Sequence, residues 1–281
     1  MKKEKLQGLA MVFPSFALMV AVVFVPIIEA VVTGFRDESG GFTLQNYRLI
    51  FTDPSYYKNI VYSLSVVLPT VGLNMLIAYP LAIYTTYSKS RIARVVDAMY
   101  ATTLFVPGIV ATFALMNVIR DTGSVNRFFM LFGISFDPQL LYTGPGLVFM
   151  NLWFNIPFAA MILSSSLAGI STSLLESARD VGANFLEIFF KMIWPLTYKA
   201  ALLSAVFVFI GCIGAFTVPF LAGANFPRML GVALYQEFSV FFSQNMASAL
   251  ATVMFLLSAV AGGIYIYLQM KRDVWQNPKR G

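Results

Sequence analysis

Histidine is absent from the 281-residue sequence, and cysteine occurs once, as Cys212. Histidine is the commonest metal ligand and proton shuttle at protein sites, so its absence disfavours a metal centre or a proton relay. A single cysteine cannot form a disulfide within the chain. An intramembrane enzyme would need a nucleophile with its base or a metal cluster, and the sequence shows neither. We therefore expect no catalytic residue, no metal and no cofactor in this chain.

Charged residues are also scarce. They make up 11% of the chain, and hydrophobic residues make up 58%, whereas a typical soluble domain is about 25% charged. So few charges cannot cover the surface of a soluble domain, but they suit a surface that faces lipid. The formal net charge of +6 indicates basic cytoplasmic loops beside a lipid bilayer, and not a nucleic-acid partner.

Long hydrophobic runs fill most of the sequence. Each is long enough to cross a bilayer, which takes about 20 apolar residues, and backbone groups in lipid must be paired within the segment, as in a helix. The runs cover residues 10–34, 59–87, 96–119, 143–169, 198–222 and 244–269. The sequence predicts an all-α, polytopic membrane protein with six transmembrane helices in a single transmembrane domain, residues 1–281.

The longest predicted cytoplasmic segment, residues 170–196, joins the fourth and fifth spans and reads as two short amphipathic helices. Ser173 and Glu176 have the spacing of a capping box that begins the first helix. Its apolar stripe is predicted at Leu174, Ala178 and Val181. Gly182 suits the turn that ends it, because glycine adopts a positive φ without strain.

The second predicted helix begins at Asn184, with Glu187 three residues later repeating the cap-and-acid pattern. Pro195 disfavours helical geometry at Trp194 and marks the junction with the fifth span. The predicted apolar face of this helix is Phe185, Phe189 and Met192. Such a pair of helices lies on the bilayer or docks into a groove of another protein, and the spacing alone leaves both open.

Four residues of this segment match a known motif at its spacing: Glu176, Ala178, Gly182 and Pro195. The segment resembles the Glu-Ala-Ala, three residues, Gly, nine residues, Ile-x-Leu-Pro motif of ABC-importer permeases. Ser177, Met192 and Trp194 depart from it, each by a small or apolar exchange. The amino-acid sequence of residues 176–183 resembles that of permeases in the spermidine/putrescine branch of the family. Weaker similarities to the family lie at residues 123–126, 153–158 and 216–223.

The resemblance implies the type I ABC importer permease fold in the bacterial inner membrane. It implies three kinds of partner: a second permease subunit, expected to be a paralogue, two ATPase subunits and an extracytoplasmic substrate-binding protein. The sequence lacks the glycine-rich phosphate-binding motif, so ATP and Mg are expected on the partner ATPase. The residues that the resemblance assigns to ATPase coupling are Glu176, Ser177, Ala178, Arg179, Asp180, Gly182, Ala183 and Pro195.

Polar and aromatic residues of the spans are candidates for the substrate path. Those we select are Asn117, Asn151, Trp153, Asn155 and Phe216. Asparagines in spans more often join helices than bind ligands. Glu29 is the only acid well inside a predicted span, and we expect its side chain to reach the outer interface instead of contacting substrate.

The substrate and one other class of function stay open at this point. The branch resemblance favours a polyamine, while ferric iron, an aminophosphonate, an opine, thiamine or a sugar are alternatives. A secondary transporter or channel is the alternative of another class, although a proton-coupled carrier usually needs titratable groups at mid-membrane.

The distribution of basic residues predicts the orientation. With a cytoplasmic N-terminus, roughly two thirds of the 19 Lys and Arg residues fall on cytoplasmic segments, as the positive-inside rule requires. Both termini are then cytoplasmic. Single cysteines at positions 40 and 137 should react with an impermeant thiol reagent in intact cells, and those at 90 and 275 should not. Labelling of 90 or 275 under these conditions contradicts the six-span topology.

Overall fold

The computed structural model describes residues 2–134 and 139–270. Within them the chain is helical, and the β-structure is an isolated bridge between Arg36 and Phe42. The helices are α1 Lys2–Met19, α2 Val25–Gly34, α3 Gln45–Thr52, α4 Pro54–Tyr87, α5 Arg91–Thr103, α6 Gly108–Ile119, α7 Ser124–Met130, α8 Gly144–Leu167, α9 Thr172–Asp180, α10 Phe185–Ile188, α11 Trp194–Ile213, α12 Thr217–Ala222, α13 Leu230–Ser239 and α14 Gln244–Met270. Labelling positions 137 and 275 and the basic residues beyond 270 lie outside the described residues.

Five helical stretches in the described part of the chain are long and apolar enough to cross a membrane. They are Met11–Gly34, Pro54–Tyr87, Gly144–Leu167, Phe185–Ile213 and Gln244–Met270. A sixth span is complete if Arg91–Thr103 and Gly108–Met130 count as one, but this pair is bent by 114°. The all-α, polytopic prediction is confirmed.

The predicted limits of two spans are wrong. The third span, predicted at about 96–119, is interrupted at residues 104–107, because Pro107 holds an extended ψ of 130° at the N-cap of α6 and disfavours helical geometry before it. The fifth span, predicted at 198–222, ends at Ile213 before Gly214, and Thr217–Ala222 is a separate helix.

Two π turns interrupt the α-helical hydrogen bonding, at Val20–Phe24 and at Phe189–Ile193. Each lies two residues before a proline, Pro26 or Pro195. Proline lacks an N–H and its ring clashes with the carbonyl four residues earlier in a regular helix. A turn with one extra residue shifts that carbonyl, so the helix passes the proline without ending.

Residues up to Lys58 form one compact unit with Val232–Leu257. Gly34 is buried in it, and a Cβ there would lie 2.6 Å from Tyr47 Oη and 3.1 Å from Ala249 Cα, so α2 approaches α14 closely. The turn after α2 is closed by Asp37, whose carboxylate accepts hydrogen bonds from Ser39 Oγ (2.6 Å) and Gly41 N (2.8 Å). These bonds, the Ser39 bond first, lower the pKa of Asp37.

The second unit comprises Asn59–Gly231 and the end of α14 from Ser258. Helix α8 lies at its centre and packs against α5, α6, α11 and α12, and its fully buried side chains include Leu147, Met150 and Leu163. The division of the chain into two units concerns packing, and the single-domain prediction for residues 1–281 stays a prediction.

The segment before α13 is attached to α4 by two buried polar side chains. Arg228 N donates to Asn59 Oδ1 at 2.9 Å, and Leu230 N donates to Ser63 Oγ at 2.8 Å. Asn59 and Ser63 lie one helical turn apart and are both buried. The two acceptors satisfy backbone donors that the short segment does not pair itself.

We expect Ser63→Ala to destabilise the protein by about 1–3 kcal/mol, because it leaves the buried Leu230 N–H without its acceptor. Ser65→Ala is the matched control, since Ser65 is exposed and its hydroxyl donates only within α4, to Tyr62 O. Thermal unfolding in detergent measures the difference. Equal stability of the two variants contradicts the assignment.

Candidate functional site

The first helix of the 170–196 segment begins earlier than predicted. Helix α9 starts at Thr172 with Ser171 at the N-cap, and no side chain caps it. The predicted capping box of Ser173 and Glu176 is therefore wrong, since a capping serine must precede the helix and Ser173 lies inside it. Ser173 Oγ instead bonds Ser171 Oγ at 3.3 Å, and the Glu176 side chain is exposed.

The end of α9 is set by Gly182, which has φ +87°. Gly182 N donates to Arg179 O at 2.9 Å, and Ala183 N donates to Ala178 O at 3.0 Å. This pair of bonds is the Schellman motif, with glycine at the left-handed position. Nothing lies within 4 Å of where a Cβ on Gly182 would be, so its conformation and not crowding requires glycine.

Helix α9 has apolar residues on more than one side. Leu175 is buried and Ala178 is half-buried, whereas Leu174 and Val181, at 43% and 85% exposure, face away from the chain. The predicted stripe of Leu174, Ala178 and Val181 is thus not the face that packs on this chain. Its two largest members are accessible.

The second predicted helix begins as expected. Glu187 N donates to Asn184 Oδ1 at 2.9 Å, and Asn184 N donates to Glu187 Oε2 at 3.1 Å, which confirms the capping box. Glu187 also pairs with Lys191 at 3.1 Å. The side chain that this helix buries is Ile188, while Phe185 and Leu186 are exposed. Phe189 and Met192 are half-buried.

The predicted junction at Pro195 is wrong. Trp194 has helical backbone angles, φ −57° and ψ −49°, and the helix runs from Phe185 to Ile213. The Phe189–Ile193 π turn admits Pro195, because Trp194 N bonds Phe189 O across it. The second helix of the segment is therefore the first part of the fifth span, and the Gly182 turn joins α9 directly to it.

All the predicted coupling residues except Pro195 lie in α9 or in the Gly182 turn, and Pro195 lies further along the Phe185–Ile213 helix. Glu176, Ser177, Arg179, Asp180 and Gly182 are exposed, and Ala178, Ala183 and Pro195 are half-buried. The exposed apolar side chains beside them are Leu174, Val181, Phe185 and Leu186. Exposed apolar and charged groups around one hydrogen-bonded turn form a surface suited to a protein partner.

Two of the predicted path residues are brought together. On α8, Asn151 is buried and donates to Leu147 O at 2.9 Å, and Asn155 donates to Asn151 O at 2.7 Å. Asn155 also reaches Cys212 Sγ on α11 at 3.5 Å. The position fits a contact between helices as well as a place beside a path.

The other path candidates have separate surroundings. Asn117 is exposed, donates to Phe113 O and accepts from Arg120. Trp153 and Phe216 are half-buried, and their rings contact Phe154 and Phe220, each with centroids 4.9 Å apart.

Glu29 is exposed, five residues before the end of α2 at Gly34. This position near the helix end fits the expectation that its side chain reaches the interface.

The sequence analysis did not single out two acidic residues that make side-chain hydrogen bonds in the structure. Glu237 is 8% exposed and accepts a hydrogen bond from Tyr56 Oη at 3.0 Å. Asp97 accepts one from the buried Tyr100. The i, i+3 spacing of Asp97 and Tyr100 was a usable local signal, whereas only tertiary packing buries Glu237.

Comparisons with known proteins agree with this architecture. Residues 75–273 match the family described as binding-protein-dependent transport system inner membrane component. The spermidine/putrescine transport system permease protein PotB of Escherichia coli K12 is 25% identical over 227 residues, 78% of this chain and 82% of that protein. The probable starch degradation products permease AmyD of Thermoanaerobacterium thermosulfurigenes is 24% identical over 275 residues, 93% of each chain.

A solved structure shows the same fold. A chain of a bacterial alginate ABC transporter, crystallised with an alginate pentasaccharide-bound periplasmic protein, superposes with a TM-score of 0.78 at 14% identity, covering 96% of both chains. The helical architecture is thus the type I permease fold. The family match covers well over half of the sequence, and the chain belongs to the inner-membrane permease subunits of binding-protein-dependent ABC importers.

Proposed function

We propose that the turn at Gly182 docks into a separate ATPase subunit and moves the spans when ATP is bound. The observation that carries this proposal is the unbroken helix from Phe185 to Ile213, which begins three residues after the turn. A force on the exposed surface of the turn reaches the membrane through that helix without an intervening joint.

The chemistry of the turn supports a protein partner. Val181, Phe185 and Leu186 are all more than half exposed, and burying such side chains in a groove supplies about 25 cal/mol per Å². The charges of Glu176, Arg179 and Asp180 surround them and suit a polar rim. An amphipathic helix in a hydrophobic groove has this distribution.

The remaining partners follow from this role. We infer a second permease subunit, a paralogue, that completes the path, and two ATPase subunits that hold ATP and Mg, since this sequence lacks a phosphate-binding loop. ATP binding then shifts a two-state bundle between its inward-open and outward-open forms. We infer that both termini are cytoplasmic, from the basic-residue bias.

We propose a polyamine such as spermidine or putrescine as the substrate. The support is the similarity to PotB over most of the chain. AmyD, named for starch degradation products, is nearly as similar over a longer stretch, so a sugar is the alternative that the comparison favours. The predicted path residues are compatible with a polyamine, because the half-exposed rings of Trp153 and Phe216 can face an ammonium group.

Gly182→Val tests the docking role. Valine at φ +87° costs about 1–2 kcal/mol of backbone strain, which is too little to prevent insertion of the spans but displaces the coupling surface. We expect normal membrane abundance, with loss of ATPase co-purification or of substrate-stimulated ATP hydrolysis. Gly40→Val is the matched control, because Gly40 has φ +84° and equally open surroundings.

The docking role is excluded if Gly182→Val binds the ATPase and transports like the unmodified protein. Equal losses in Gly182→Val and Gly40→Val exclude it as well, since they show a general effect of strain.

The substrate is tested in the complete transporter, reconstituted with its ATPase and binding protein. We expect spermidine or putrescine to stimulate ATP hydrolysis and to accumulate in the vesicles. Maltooligosaccharide, ferric iron, an aminophosphonate, an opine and thiamine are the comparison solutes. Stimulation by one of these, with none by a polyamine, rejects the polyamine assignment and leaves the docking role untouched.

A further inference from the structure

Tyr79 of α4 is hydrogen-bonded to the helix that leaves the Gly182 turn. The residue is 6% exposed, and its hydroxyl bonds Thr197 Oγ1 on α11. The Thr197 hydroxyl donates its one hydrogen to Ile193 O at 2.7 Å, so Tyr79 must be the donor to Thr197. Ile193 is the last residue of the π turn, and the two bonds connect α4 to it.

The ring of Tyr79 also contacts both ends of the π turn. Its centroid is 5.4 Å from that of Phe189, with the rings at 78°, and 5.9 Å from that of Trp194. Phe189 is the first residue of the turn and Trp194 follows its last. Aromatic pairs in this geometry stabilise a contact beyond the burial of the rings, so one side chain of α4 holds the turn at its beginning and its end.

The π turn lies where a movement of the exposed segment would enter the buried part of the fifth span. The turn lies between the exposed start of the helix at Phe185 and the first buried residues of α11, Thr197 and Ala201. In α4, Tyr79 directly precedes Pro80, which lacks the N–H that would bond Leu76 O. Each helix therefore departs from regular α-helical hydrogen bonding where the two meet, while the helix that contains the π turn stays continuous from Phe185 to Ile213.

We propose that Tyr79 is the positioning residue through which movement of the Gly182 turn reaches the second span. The proposal rests on the docking role proposed above. In it, the ATPase displaces α9 and the start of the Phe185–Ile213 helix, and the π turn carries Phe189 and Trp194 with it. Tyr79, held by both rings and by Thr197, moves α4 in the same step.

The test uses the complete transporter with Tyr79→Phe, Thr197→Val and Tyr79→Leu. The first two remove the hydrogen bond and keep the shape, and the third removes the ring contacts. Tyr87→Phe is the matched control, because Tyr87 lies on the same helix and its hydroxyl donates at 2.9 Å to Leu167 O, away from the π turn. The readouts are ATPase co-purification, basal and binding-protein-stimulated ATP hydrolysis, and the number of substrates imported per ATP.

We expect all variants to retain the ATPase and basal hydrolysis. Loss of one hydrogen bond worth about 1 kcal/mol should lower stimulation about fivefold in Tyr79→Phe and Thr197→Val, and loss of the rings should lower it more than tenfold in Tyr79→Leu. The double variant Tyr79→Phe/Thr197→Val should be no worse than Thr197→Val alone, since that single variant already removes the Tyr79 bond together with the bond from Thr197 to Ile193 O. Fewer substrates per ATP, with Tyr87→Phe unchanged, separates transmission from a general loss of stability.

Normal stimulation and import in Tyr79→Phe and Thr197→Val, with Gly182→Val impaired as predicted, overturns the inference and leaves the docking role standing. Equal impairment of Tyr87→Phe overturns it too. If Tyr79→Leu fails to insert into the membrane, the results for Tyr79→Phe and Thr197→Val alone test the inference. A separate result identifies failure of the docking role itself: the Gly182→Val variant would then retain both ATPase attachment and transport.

Discussion

The passage of one helix through Pro195 without a break is the constraint on which the rest of the structure depends. A proline in a regular helix interior costs about 3 kcal/mol or more, and a helix that ended there would leave a joint between the exposed segment and the membrane. The π turn at Phe189–Ile193 removes that joint. It makes the segment after Gly182 and the fifth span one rod, from Phe185 to Ile213.

A rod transmits a displacement only if its outer end is held in a defined direction. The Schellman bonds at Gly182 and the capping box of Asn184 and Glu187 do this locally, because they close the end of α9 and the start of the rod within a few residues. Leu175 and Ile188, both buried, attach the two helices to the rest of the chain. What remains accessible is the apolar and charged surface around Val181, which is the surface that a partner can bind.

Structural features that neighbouring residues decide could be predicted from the sequence. Features with two competing local candidates, or with partners far away in the sequence, could not. Gly182 and the Asn184 box were found because each is decided by residues a few positions apart. The Ser173 box was mistaken because Ser171 is an equally good N-cap two residues earlier, and sequence spacing does not rank the two. Pro195 and Pro107 carry the same sequence signal, yet the chain passes one and breaks at the other. The contacts of Asn59, Ser63 and Tyr79 lie more than 100 residues away in sequence, and no local pattern encodes them.

The central claim is that the surface around Val181 is covered by the ATPase subunit. Val181→Cys tests it directly, because Val181 is 85% exposed and the only natural cysteine, Cys212, is buried at 1% exposure. A maleimide should label Val181→Cys rapidly in the purified permease and far more slowly in the assembled transporter. Leu131→Cys, at an equally exposed position, should label at the same rate in both. Unchanged labelling of Val181→Cys upon assembly would contradict the account.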